Sequence, residues 1–191
     1  MGEISSLIAE LTCGDDSRAM TAIQQLVGCG QEALPVLANL LTSCYADVRW
    51  WATWALAEMA DPRATHLLRQ SLHDTDIAVR QAAALSLRQH PDPQAIPDLI
   101  SALTEGDSIL LHLVSVALAA IGKEAVPALL PVLENESRPA RLAAARALAT
   151  INDERSIPAL YTALGDDSAL VKHWANVGLE RVVSDMILYN P

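Results

Sequence analysis

Leu26, Leu56, Leu87, Leu118, Leu148 and Leu179 stand 30, 31, 31, 30 and 31 residues apart along the chain. A ruler of this length, with most of its marks inside alanine-rich stretches, restricts the chain to an array of small supersecondary units. Each unit opens near an Asp or Ser, runs through an alanine-rich helical segment, breaks at a turn such as MADPRA or INDERS, and continues as a second helix. The first helix carries apolar residues three and four apart, as in Val48, Ala52, Ala55, Leu56 and Met59, so one stripe faces a partner helix. The second helix repeats two leucine columns, Leu37, Leu68, Leu99, Leu129, Leu160 and Leu41, Leu72, Leu103, Leu133, Leu164. Pro35, Pro97, Pro127 and Pro158 share one column in its first turn, where a missing N–H is harmless, so they mark helix starts rather than breaks.

The segments DVRWWATWALAEMADPRA, DIAVRQAAALSL and SRPARLAAARALATINDERSIPALYTAL resemble the HEAT repeat family, in particular the short HEAT-like repeats of the phycobilisome-lyase type. The resemblance covers about residues 15 to 183. It implies an all-α fold, a right-handed α-α superhelix of about five helical hairpins with capping helices, the first helices convex and the second concave. The expected organisation is a single repeat domain over 1–191. It has a cap at 3–12, repeats at about 15–44, 45–75, 76–106, 107–136 and 137–167, and a closing helix at 168–188. The tail Met186, Ile187, Leu188 and Tyr189 is expected to seal the rear core. The family includes adapters, chaperones, chromophore lyases and some enzymes, so the fold alone names no activity.

Charge narrows the partners. With 23 acidic against 13 basic residues the chain is formally −10, which repels phosphate backbones and anionic membranes. Nucleic acid and membrane are not expected, whereas a protein or peptide with a basic patch is. The most apolar window, 109–122, is shorter than the roughly 20 residues of a membrane-spanning helix. Cys13, Cys29 and Cys44 are odd in number and lack CxxC spacing, so no disulfide framework is implied. The first apolar stretch follows Glu3 and is interrupted by Ser5, Ser6 and Glu10, unlike a secretory signal, and a cytoplasmic location with reduced thiols is expected. There is no Gly-rich phosphate loop, no GxSxG, and none of the His-Glu pairs carried by HEAT-like di-iron hydroxylases. No catalytic, cofactor or metal site is expected.

In a repeat protein each unit is a control for the others, and the residues unlike their column mates stand out. Trp50, Trp51 and Trp54 fall within five positions of a chain with no phenylalanine. Trp51 and Trp54 share columns with largely apolar residues and are expected in the core; Trp50, aligned with Met20 and His112, is expected to be partly exposed as a contact residue. In repeat four Leu111 replaces the basic residue of Arg49, Arg80, Arg141 and Lys172, leaving a helix apolar nearly all round. Leu111 and His112 are therefore candidates for a partner surface or for self-association, with coverage by bulky neighbours as the alternative. Pro131, inside the next helix, should bend it. The resemblance implies that the basic column forms an internal Asp–Arg ladder, with Asp47, Asp76 and Asp107 within reach.

On the second helices, Asn39, Gln70 and Ser101 recur once per repeat and could meet the amides of an extended peptide. His66 and His73 lie two helical turns apart with Gln70 between them; at about 10.5 Å along the axis they cannot share one metal unaided. Asp98 is the nearest carboxylate the spacing suggests. The expected function is a non-enzymatic scaffold or adapter that binds a protein or peptide through the concave groove and the Trp50 and repeat-four surfaces. The alternative is a bilin lyase-like or chromophore-binding chaperone, with Tyr45, Trp50, His66 and His73 around a linear tetrapyrrole.

Overall fold

Short acceptor side chains at the unit boundaries start the helices. Asp15, Asp76 and Asp107 each accept a hydrogen bond from a backbone N–H in the first turn that follows, those of Arg18, Ala78 and Leu110. A computed structural model of the chain describes residues 2–59 and 61–189. Among these it has twelve α-helices and no strand. The chain divides into two compact units, Met1–His90 and Pro91–Pro191, and the division falls inside the expected third repeat.

The first unit holds α1 (Gly2–Leu11), α2 (Asp16–Gly28), α3 (Leu34–Leu40), α4 (Ala46–Ala57), α5 (Pro62–Ser71) and α6 (Ile77–Gln89). The second holds α7 (Ile96–Glu105), α8 (Ser108–Ile121), α9 (Val126–Asn135), α10 (Arg138–Ile151), α11 (Ile157–Ala163) and α12 (Ala169–Tyr189). The column prolines stand in the first turns of α3, α7, α9 and α11, preceded by short 3-10 turns. α5 has no such turn; it begins directly at Pro62 behind Asp61, whose carboxylate accepts from the Arg63 N–H.

The ruler leucines from Leu26 to Leu148 are fully buried within their units, and Leu179 is half-buried. Each fully buried leucine contributes about 2 kcal/mol through the apolar area it withdraws from water. In the second unit α10 buries six alanines, Ala140, Ala143, Ala144, Ala145, Ala147 and Ala149, so its neighbours approach closely. Gly178 on α12 is one result: a Cβ there would lie 2.8 Å from Leu160 and 3.2 Å from the Ala149 Cα. α10 ends at Asn152, whose left-handed backbone (φ 59°) lets its N–H reach the Leu148 carbonyl.

This packing decides between the two readings of Leu111 and corrects the acids expected in the arginine ladder. Leu111 is only 7% exposed, because α8 lies between α7 and α10, which cover it; an outward-facing leucine is not presented there. The Arg ladder exists, but its acids are different. Arg49 grips Asp74 through two bonds of 2.7 and 2.8 Å, and Arg141 grips Asp166 and also Asp167. Asp76 and Asp107 cap α6 and α8. The partner sits 25 residues after the arginine, at the end of the same hairpin's second helix. α9 continues through Pro131. The side chains of Met186, Ile187, Leu188 and Tyr189 lie outside the described residues. No single described helix is long and apolar enough to cross a membrane.

Candidate functional site

The tryptophans of α4 form one cluster. Trp50 and Trp54, a helical turn apart, have ring centroids 5.0 Å apart, and Trp51 stands edge-on to Trp50 at 4.8 Å. Ala52, Ala55 and Leu56 take the core-facing stripe. All three indoles are half-buried. That agrees with the expectation for Trp50 and corrects it for Trp51 and Trp54, which are not core residues.

The physical reason is the spacing of α2 and α4. α4 carries three indoles where α6 carries Gln81, Ala82 and Leu85, and α2 packs less closely on α4 than α6 does. A cleft of about 740 Å³ opens between them. One side is lined by Leu11 at the end of α1, Thr12 and Gly14 in the turn that follows, and Asp16 and Met20 of α2; the other by Tyr45, Asp47, Val48, Trp50 and Trp51 at and within the start of α4. A smaller hollow of about 320 Å³ shares Met20 and reaches Trp54 and Glu58 along the same helix pair. Both volumes lie within the range of ligand-sized pockets. Tyr45 is 69% exposed and Met20 43%, so the mouth is apolar and open.

Two carboxylates, Asp16 and Asp47, line the cleft, each in the first turn of its helix. Neither forms an ion pair among the described residues, because the arginines near them in sequence are engaged elsewhere. Arg18 is held by Glu10, with one bond at 2.7 Å, and this contact keeps the Glu10 carboxyl below its usual range. Arg49 is held by Asp74. No lysine, arginine or histidine lines the cleft.

The other candidates lie apart from this site. Asn39 and Gln70, on α3 and α5, are exposed, as is Ser101 on α7 of the second unit. The Gln70 amide nitrogen lies 3.3 Å from the His66 ring. His73 falls beyond the end of α5 and is exposed. His112 is exposed, but its Nδ1 accepts from Arg146 at 2.7 Å, and that guanidinium lies 5.3 Å over the Trp174 ring. Among the described residues no group of three or more His, Cys, Asp or Glu side chains could hold a metal. Cys13 and Cys44 are exposed, and Cys29 is half-buried. Sequence reasoning missed Asp16, Asp47 and Met20 as lining residues, although the column shared by Met20 and Trp50 was a pointer to that pair.

The pattern of the HEAT repeats matches residues 4–88, 34–119 and 113–180. The chain belongs to the HEAT repeat family. Among solved structures, this HEAT-repeat chain is similar to an engineered protein at 25% identity, covering 96% of this chain and 98% of that one, with a TM-score of 0.54. It is also similar to the complex of CpcE and CpcF of phycocyanin lyase from Nostoc sp. PCC7120, at 26% identity, 90% and 74% coverage and a TM-score of 0.56. A designed armadillo repeat protein in complex with the peptide (KR)4 shares the fold at 18% identity, 93% and 98% coverage and a TM-score of 0.52. No curated protein matches the chain. The fold is an all-α helical repeat of the kind used as a scaffold for protein interactions.

Proposed function

We propose that this HEAT-repeat protein is a non-enzymatic interaction module that holds a protein or peptide partner, anchored at the cleft between α2 and α4. One observation carries the reading: three adjacent indoles are left half-buried beside an exposed tyrosine and methionine. Folded chains cover indoles wherever they can, and tryptophan and tyrosine in a concave apolar patch are the anchors that dominate interface energetics. Within the same unit, Asn39 and Gln70 add exposed amide groups for an extended partner's backbone.

A second reading has the likeness to CpcE and CpcF in its favour: the cleft would take a linear tetrapyrrole. One experiment separates the two. A photo-crosslinker placed at Tyr45 should trap a single polypeptide, and Trp50→Ala should abolish the adduct. Equal adducts from Trp50→Ala, or from a crosslinker placed at Glu134, would remove the proposal. A visible absorbance shift on adding free bilin, lost in Trp50→Ala, would favour the tetrapyrrole.

A further inference from the structure

We infer that the α2/α4 cleft selects a cationic side chain, a lysine or arginine of the partner, laid against the tryptophan cluster and held by Asp16 and Asp47; this rests on the interaction reading above. The choice of occupant follows from the chemistry of the walls. An indole face carries the negative part of the ring quadrupole, and a cation with a long apolar stem is the group that uses such a face together with the apolar Met20 and Tyr45 side chains at the mouth.

The charges point the same way. A helix N-terminus alone would favour an anion, but each helix end is worth only about half an elementary charge. Asp16 and Asp47 occupy the first turns of α2 and α4 and bring a full charge each, so the cleft is net negative. Both lack an internal counter-ion, since Arg18 and Arg49 are committed to Glu10 and Asp74. A chain of formal charge −10 also steers a basic segment toward it at low salt. An arginine or lysine would fill both demands at once, whereas an acidic or neutral segment would leave the carboxylates unanswered.

The test uses the full chain and three labelled peptides of equal length, in which glycine alternates with arginine, with glutamine or with glutamate. Anisotropy and tryptophan quenching report binding. The arginine peptide should bind, weaken as salt is raised, and lose about tenfold in affinity with the paired Asp16→Asn and Asp47→Asn changes. Trp50→Ala should abolish the quench, and Trp50→Phe should restore part of it. Glu134→Gln with Glu136→Gln changes the net charge equally on exposed side chains of the other unit, and should leave affinity within about twofold. Equal losses from both acidic pairs would overturn the inference, as would Trp50-independent binding. If the glutamine peptide binds as tightly and Trp50-dependently, cation selection fails while the interaction module stands. If no peptide quenches the tryptophans, cation selection is likewise overturned, and a Tyr45 crosslink then decides the broader reading alone. Circular dichroism melts of every variant exclude misfolding as the cause.

Discussion

At the residue scale, the tryptophans test how far repeat logic reaches. Trp51 and Trp54 sit in columns that are mostly apolar in the other repeats, which reads as burial, yet both are half-buried alongside Trp50. Column logic assumes equal helix spacing at every repeat, and three indoles on α4 break that assumption. Trp51→Ala should therefore cost about 2 kcal/mol, below the 3–5 of an aromatic removed from a closed core, and Trp50→Ala should fall in the same range. Leu56→Ala, at a fully covered position, should cost about 2–5 kcal/mol; urea unfolding of the three variants gives the order. His90 is a second case. Its Nε2 meets the Ala57 carbonyl at 2.7 Å and closes the end of α4. His90→Leu should lose about 1 kcal/mol by stranding that carbonyl, read in the same titration.

At the scale of elements, the helix starts were the most readable feature, because capping aspartates and first-turn prolines act through bonds within a few residues. The approach of one helix to another was not readable in the same way. Gly178 carries no unusual φ, and only the structure shows that α12 lies against Ala149 and Leu160 there. Gly178→Val must push against the Ala149 backbone, which cannot turn aside. About 1–3 kcal/mol of overpacking should lower the melting temperature by several degrees despite the gain in helix propensity. A melting temperature at or above that of the parent chain would show that α12 can shift freely. Leu111 belongs here too: an apolar residue in a basic column signalled a change of surroundings, but whether a partner or the chain's own helices covered it depended on α7 and α10.

At the scale of the whole molecule, each unit has a part-buried arginine–aspartate clamp within a hairpin, Arg49 with Asp74 and Arg141 with Asp166, and acid should release both. Arg141 donates to Asp166 and outweighs the burial that opposes it, holding that carboxyl at about 2. Burial raises Asp74, but the bonds from Arg49 and the Asp76 N–H prevail and leave it lowered. A carboxylate depressed in the folded state stabilises above its unfolded value and loses that contribution as pH falls toward the folded one. Stability should thus decline as pH drops from about 4 toward about 2. Asp74→Asn and Asp166→Asn should flatten this decline in melts across pH, while lowering stability at neutral pH. An unchanged slope would mean that other carboxylates set the acid limit.

The period, the proline starts and the burial of the ruler leucines from Leu26 to Leu148 follow from this sequence alone, because they rest on local turn chemistry and on periodicity within one helix. The cleft between α2 and α4, the acids chosen by Arg49 and Arg141, and the covering of Leu111 were decided only in the tertiary structure. Each depends on the distance between helices far apart in the chain, and that distance is set by the summed volumes of the side chains between them.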